Sequence, residues 1–122
     1  MKPVIMLVDD DPGILSALKR MLRRDGYELV THSNARAALA ELETRQVDVI
    51  VSDYKMPGKN GIDLLEEVAR SWPRTARILL SGWSNEIPAE KLIAARLHAQ
   101  LAKPWDEDDL KSVIRSGVGS GG

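Results

Sequence analysis

Apolar and polar positions along the chain fall into two alternating patterns. Short apolar runs, the continuous Val4 to Val8 and the largely apolar Val47 to Val51 and Ala76 to Leu80, are rich in branched side chains. They read as strands covered on both faces. Between them apolar residues recur at helical spacing: Ile14, Leu15, Leu18, Met21 and Leu22, then Ala35, Ala38, Leu39 and Leu42, then Ile62, Leu65, Val68 and Ala69. Asp11 reads as the N-cap of the first helix because Pro12 suits the first helical position, and Gly26 suits its C-terminal stop. Asn34 caps the second helix, Gly61 precedes the third, and Pro73 lies just beyond it. Tyr27 to His32 predicts a second, more polar strand at a sheet edge.

The later part of the chain follows the same alternation. Glu86 to Arg96 predicts a helix with a weaker, Ala-rich face and Pro88 confined to its first turn. Leu97 to Ala102 predicts a fifth strand. Asp106, Glu107, Asp108 and Asp109 place negative charge at the start of a last helix, as its dipole favours, with Leu110, Val113 and Ile114 facing inward. Gly117 to Gly122 has flexible-linker composition, so residues 1–116 are expected to form the domain and 117–122 a tail or linker stub.

Five strands alternating with five helices, joined by short right-handed crossovers, predict an α/β fold: a doubly wound parallel sheet with helices on both faces. In such sheets ligands bind outside the carboxyl ends of the strands. Asp9 and Asp10 follow the first strand, Asp53 the third, Ser81 the fourth and Lys103 the fifth. All five residues therefore converge on one edge.

Composition narrows the class without indicating chemistry. At 122 residues the chain is one domain with room for a core. Its formal net charge of -1 provides no field to recruit nucleic acid or an anionic membrane, so direct contact with neither is expected. With no cysteine there are no disulfides and no thiolate metal site. No apolar run approaches the roughly 20 residues of a membrane span. Strand-like sequence follows Met1-Lys2-Pro3 at once, so no signal peptide is expected, and the expected location is cytoplasmic.

The converging residues do suggest a chemistry. Three carboxylates packed together repel one another unless a cation sits among them. Hard oxygen ligands favour Mg²⁺, Mn²⁺ or Ca²⁺ over zinc. A cation, the Lys103 ammonium and the Ser81 hydroxyl around one carboxylate suit the charge that develops on a transferring phosphoryl group. Asp53 is then the nucleophile, forming an aspartyl phosphate.

These residues resemble the receiver domain of two-component response regulators over positions 4 to 116. The matching pieces are Leu7-Val8-Asp9-Asp10-Asp11, Ser52-Asp53-Tyr54-Lys55-Met56-Pro57-Gly58 with Gly61, Leu80-Ser81-Gly82, and Lys103-Pro104-Trp105. Each is weak alone; four in order on the expected strands are specific. The resemblance implies a (βα)5 flavodoxin-like sheet of strand order 2-1-3-4-5. It implies that Asp53 accepts the phosphoryl group from a sensor histidine kinase and that Asp10 binds Mg²⁺ directly, with Asp9 supporting through water. The Lys55 carbonyl completes the metal site. Ser81 bonds the phosphoryl group and shifts inward on activation, Lys103 pairs with a phosphoryl oxygen, and the Lys103–Pro104 peptide bond is cis. It further implies self-catalysed transfer and hydrolysis, an output domain or downstream protein as partner, and a homodimer surface on helix 4, strand 5 and helix 5.

One departure stands out. Many receivers carry an aromatic switch residue three positions before the lysine, and here that position is Gln100, with Trp83 or Trp105 as substitutes. The Ser81-Gly82-Trp83 and Lys103-Pro104-Trp105-Asp106 versions resemble receivers that precede phosphodiesterase-type or transcriptional output domains. The rival readings are a receiver-like interaction module working without phosphorylation, an aspartate-nucleophile phosphatase and a flavodoxin. A phosphatase of that kind shows Asp-x-Asp after the first strand and a cap domain, and a flavodoxin offers backbone amides where this chain has three acids. Elsewhere structural roles are expected: Trp72 as helix-end packing, His32 and His98 outside any ligand cluster, and Lys59, Arg20, Arg23 and Arg24 as solvated charges.

Overall fold

The structure is a computed structural model that describes residues 2–82 and 86–120. Strands and helices alternate strictly: β1 Val4–Val8, α1 Pro12–Leu22, β2 Glu28–His32, α2 Ala35–Leu42, β3 Val49–Asp53, α3 Gly61–Ser71, β4 Ala76–Ser81, α4 Ala89–Ala95, β5 Ala99–Ala102 and α5 Glu107–Ser120. The strands form one parallel sheet in the order β2-β1-β3-β4-β5, the expected flavodoxin-like order. The more polar second strand does lie at an edge.

Alternation along the strands divides the core in two. Met6, Val8, Ile50 and Leu79 face α2, α3 and α4, whose Ala38, Leu42, Ile62, Leu65, Val68 and Ala95 are buried against them. Ile5, Leu7, Val49, Val51, Ile78 and Leu80 face α1 and α5 through Leu18, Leu22, Leu110 and Ile114. Continuous apolar runs are what such a doubly covered strand requires.

The expected caps are present. Asp11 accepts from the Gly13 N–H at 2.8 Å and Asn34 from the Ala37 N–H at 2.8 Å. Gly61, expected just before α3, is its first residue, and Asn60 caps the helix, accepting from the Asp63 N–H at 2.9 Å. Gly26 adopts φ +82°, the left-handed conformation that suits glycine, in the turn after α1.

Several boundaries differ from expectation. β3 starts two residues late and extends through Ser52 to Asp53, because the ladder to β4 carries on to the Asp53–Leu80 pair. α4 starts at Ala89 rather than Glu86, with Pro88 in extended backbone (ψ 139°) at the N-cap. β5 starts at Ala99 rather than Leu97. α5 passes through Gly117 to Ser120, correcting the flexible reading for residues 117–120. Gly117 is buried there, and a Cβ on it would stand 3.1 Å from both Ala76 Cβ and Val49 Cγ2, so its lack of a side chain lets the helix lie close to the sheet. Residues 121–122 and Trp83 lie outside the described residues.

Candidate functional site

The carboxyl ends of β1, β3, β4 and β5 surround a cleft of about 660 Å³ lined by Asp9, Asp10, Asp11, Asp53, Lys55, Met56, Pro57, Gly82 and Lys103. Each functional side chain is held by sheet hydrogen bonding that runs past the strand end. The Asp9 N–H donates to the His32 carbonyl at 3.1 Å, the Tyr54 N–H to the Leu80 carbonyl at 2.9 Å and the Lys103 N–H to the Ser81 carbonyl at 3.0 Å. The Lys103–Pro104 peptide is cis, as expected.

Lys103 lies at the centre of the charges. Its Nζ is 2.9 Å from Asp53 Oδ1 and 3.1 Å from Asp9 Oδ2. Asp9 and Asp53 are buried and Asp10 is exposed at the rim. The Asp9 Oδ1 accepts from the Asp11 N–H at 2.9 Å, which fixes the carboxylate plane. Burial pushes the Asp9 carboxyl above its ordinary range; the Asp11 N–H and Lys103 pull it back, and the Asp53 charge pushes it further up. For Lys103, burial alone would lower the pKa, but the hydrogen bonds to Asp53 and Asp9 outweigh it and raise it.

Asp9, Asp10 and Asp53 each offer a carboxylate oxygen within 4.8 Å of the others. Against them Lys103 supplies one positive charge, so three ionised carboxylates leave two negative charges to balance. All the donors are hard oxygens, and the cluster has no imidazole or thiolate. That donor set fits a small divalent cation such as Mg²⁺ and does not fit zinc.

The loop over the site depends on one close approach. The Gly61 N–H donates to the Tyr54 carbonyl at 2.8 Å, and a Cβ on Gly61 would fall 2.0 Å from the Asp53 carbonyl oxygen. Only glycine allows the start of α3 to close against the backbone of Asp53. The motif spacing marked Gly61, but the steric reason is visible only in the fold. Met56 and Pro57, cleft residues not singled out as site residues from the sequence, come with the same loop.

Ser81 is placed differently from the other expected residues. It is buried, Gly82 rather than Ser81 lines the cleft, and the Ser81 Oγ accepts from Gln100 Nε2 at 3.2 Å. Trp105 packs against the α1–α5 side of the core, and Trp72 packs at the end of α3. His32 pairs with Glu41 at 2.5 Å, and His98 meets Ser116 Oγ at 2.7 Å. Neither histidine belongs to the acidic cluster.

Comparison with known proteins gives a consistent result. The family described as "Response regulator receiver domain" matches residues 5–115. The hydrogenase transcriptional regulatory protein HoxA of Cupriavidus necator is 35% identical over 118 residues, covering 93% of this chain and 24% of that protein. The DNA-binding transcriptional regulator NtrC of Azospirillum brasilense is 32% identical over 116 residues, covering 95% of this chain and again 24% of the relative. This chain thus spans about a quarter of the length of those two relatives. Among solved structures, the signal receiver domain of an HD domain-containing protein from Pseudomonas fluorescens Pf-5 superposes with TM-score 0.93 at 32% identity, covering 99% of this chain and 98% of that one.

Proposed function

This chain belongs to the receiver-domain family of two-component response regulators, and we propose from that premise that Asp53 is its phosphoryl acceptor and Mg²⁺ its cofactor. The observation that carries this reading is the Lys103 ammonium shared between Asp53 and Asp9, at the mouth of a cleft with Asp10 on its rim. A phosphohistidine on a sensor kinase is the natural donor. An Asp53 carboxylate oxygen forms the O–P bond, the N–P bond breaks, and the leaving imidazole keeps the electron pair and takes a proton. Lys103, already within bonding distance of Asp53, is positioned to follow the charge onto a phosphoryl oxygen. Asp10 and Asp53 with the Lys55 carbonyl would hold Mg²⁺ directly, and Asp9 through water; the ion, when bound, neutralises charge between acceptor and phosphoryl group. The same residues would serve attack by water on the acyl phosphate, which returns Asp53 and inorganic phosphate.

The role is regulatory. Receiver domains of response regulators work with sensor kinases and output domains, and HoxA and NtrC are transcriptional regulators. For this chain we take a histidine kinase as input partner and an output domain or separate protein as target. Homodimerisation through α4, β5 and α5 is supported by Ile93 on α4, a large apolar side chain that is 75% exposed. Among the described residues no helix is long and apolar enough to cross a membrane.

Incubation with acetyl phosphate and Mg²⁺, followed by intact mass measurement, tests the reading. The expected result is a gain of one phosphoryl group that requires both Mg²⁺ and Asp53, and that Asp53→Ala abolishes. A gain surviving Asp53→Ala would refute the acceptor assignment. No gain in folded wild type would favour an interaction module that works without phosphorylation.

A further inference from the structure

A second polar cavity opens at the opposite end of the sheet from Asp53. It measures about 340 Å³ and lies where β4 begins and where α4 turns into β5. Three arginines line it, Arg74, Arg77 and Arg96, together with His98, and no acidic residue does. Arg74 and Arg96 are exposed. Among the described residues the arginines in ion pairs are Arg45 and Arg70, so none of these three has a carboxylate partner. Glu43 and Asp48 border the neighbouring cavity that Arg74 also lines, and the Asp48 carboxylate accepts from the Val4 N–H at 2.7 Å. The His98 Nε2 is paired with Ser116 Oγ.

Arg77 is the buried member, 8% exposed. A guanidinium has five N–H donors. Four of them go to the carbonyls of Pro73, Thr75, Ala95 and Arg96, which leaves one on Nη2. Those carbonyls are neutral, and a buried charge is costly without an ionic partner. Helix ends offset part of the cost, since α3 and α4 both finish beside the cavity. Each C-terminus carries roughly half a negative charge, so the two together balance about one guanidinium. Two of the three arginines then remain uncompensated. Burial, and after it the nearby Arg96, lower the Arg77 pKa, as that surplus requires. Arg96 itself stands in the left-handed region at φ 44°, at the end of α4. Glycine is the ordinary choice there, so the chain keeps a charged side chain at this position against a backbone preference.

We propose that this cavity binds a phosphate dianion, free or as the head group of a small phosphomonoester. Arginine forks match phosphate oxygens in pairs, and two surplus positive charges suit a dianion better than a single carboxylate. Arg77, held by its carbonyls, is the fixed donor, and the exposed Arg74 and Arg96 close on the anion from outside. A volume of about 340 Å³ lies in the range of small-ligand sites, which leaves room for an organic part beside the head group. The site is separate from the acidic cleft and needs neither Asp53 nor a metal.

The test is titration of the whole chain in EDTA with inorganic phosphate and with adenosine monophosphate, read by NMR of the backbone amides, with ionic strength held constant by NaCl. Saturable shifts of the Arg77, Arg96, Leu97 and His98 amides are expected. Arg74→Gln and Arg96→Gly should each weaken binding about tenfold or more, the worth of one charge-assisted hydrogen bond. Arg96→Gly should also raise the melting temperature without ligand, because glycine relieves the left-handed φ, so its loss of binding is not loss of folding. Tighter binding of adenosine monophosphate would identify a phosphomonoester as the ligand, and equal affinities would identify free phosphate. Shifts that do not saturate, or that are confined to Asp9, Asp53 and Lys103, overturn the proposal. So does unchanged affinity in either variant, or binding of a glutamate-rich peptide in the absence of any phosphate binding.

Discussion

Asp9 carries a burden that its neighbours only partly relieve. Burial raises its pKa, and the Asp11 N–H and Lys103 do not bring it back to the ordinary range. Its ionised form therefore destabilises the folded chain at neutral pH when no cation shares the site. Asp9→Asn is expected to raise the melting temperature in EDTA at pH 7 while reducing the upward shift that Mg²⁺ produces in wild type. A melting temperature that falls in EDTA would contradict this account of Asp9. Gly61 shows a different constraint, since a Cβ there would overlap the Asp53 carbonyl oxygen at 2.0 Å. Gly61→Ala must displace either the start of α3 or the acceptor itself, at a cost of about 1–3 kcal/mol. Urea unfolding measures that cost, and slower labelling of Asp53 should accompany it.

Among the elements, α4 is the shortest helix described, with seven residues, and it depends on ties to its neighbours. At one end Arg77 of β4 serves as its C-terminal cap. The buried guanidinium donates to the carbonyls of Ala95 at 2.9 Å and Arg96 at 3.0 Å. It also donates to Thr75 at 2.6 Å and Pro73 at 3.2 Å. Burial and the nearby Arg96 lower its pKa. Positive charge at a helix C-terminus is favoured by the dipole, and the fork of donors reaches four carbonyls, with the bonds to Ala95 and Thr75 buried. Along the flank, Lys91 meets Asp63 of α3 at 2.8 Å and Glu66 at 3.6 Å, an exposed pair worth little by itself. Arg77→Met should therefore cost about 3 kcal/mol by leaving buried carbonyls unpaired. Lys91→Met should change stability far less, because an exposed ion pair contributes little. Denaturant midpoints compare the two directly; equal losses would mean that Arg77 is not the principal anchor of α4.

Across the molecule, the edge strand β2 is tied to α2 by a chain of charges. Glu41 pairs with His32 at 2.5 Å and with Arg45 at 3.4 Å, and Arg45 in turn meets Glu28. The His32 hydrogen bond is the main cause of a lowered Glu41 pKa, opposed by burial and assisted by Arg45. A carboxyl whose folded pKa lies below its unfolded value stabilises the fold above the unfolded value, and that contribution is lost as pH falls through the folded one. The Glu41 contribution is therefore complete at neutral pH and disappears as pH falls below the ordinary Glu range. Glu41→Gln should lower stability at pH 7 and flatten its decline between about pH 5 and pH 3. Parallel wild-type and variant curves over that range would remove Glu41 from the acid response.

Much of this protein was legible in order along the chain. Continuous apolar runs require strands covered on both faces, the residues Asp11, Asn34 and Pro12 mark helix starts, and the alternation of elements dictates a parallel sheet. The acidic residues, serine and lysine that follow the strands therefore had to share one edge, because parallel strands all end on the same side. Boundaries were less legible where long-range contacts overrode local chemistry. Ser52 and Asp53 stay in β3 because β4 pairs with them, and Gly117 stays helical because α5 presses on Ala76 and Val49. The bond between Gln100 and Ser81 and the four carbonyls around Arg77 had no local signal at all. Composition and periodicity report which face a residue occupies, whereas a hydrogen bond across strands depends on register and on a few tenths of an ångström. Register is set by the packing of the entire sheet, so those contacts arose only once the chain had folded.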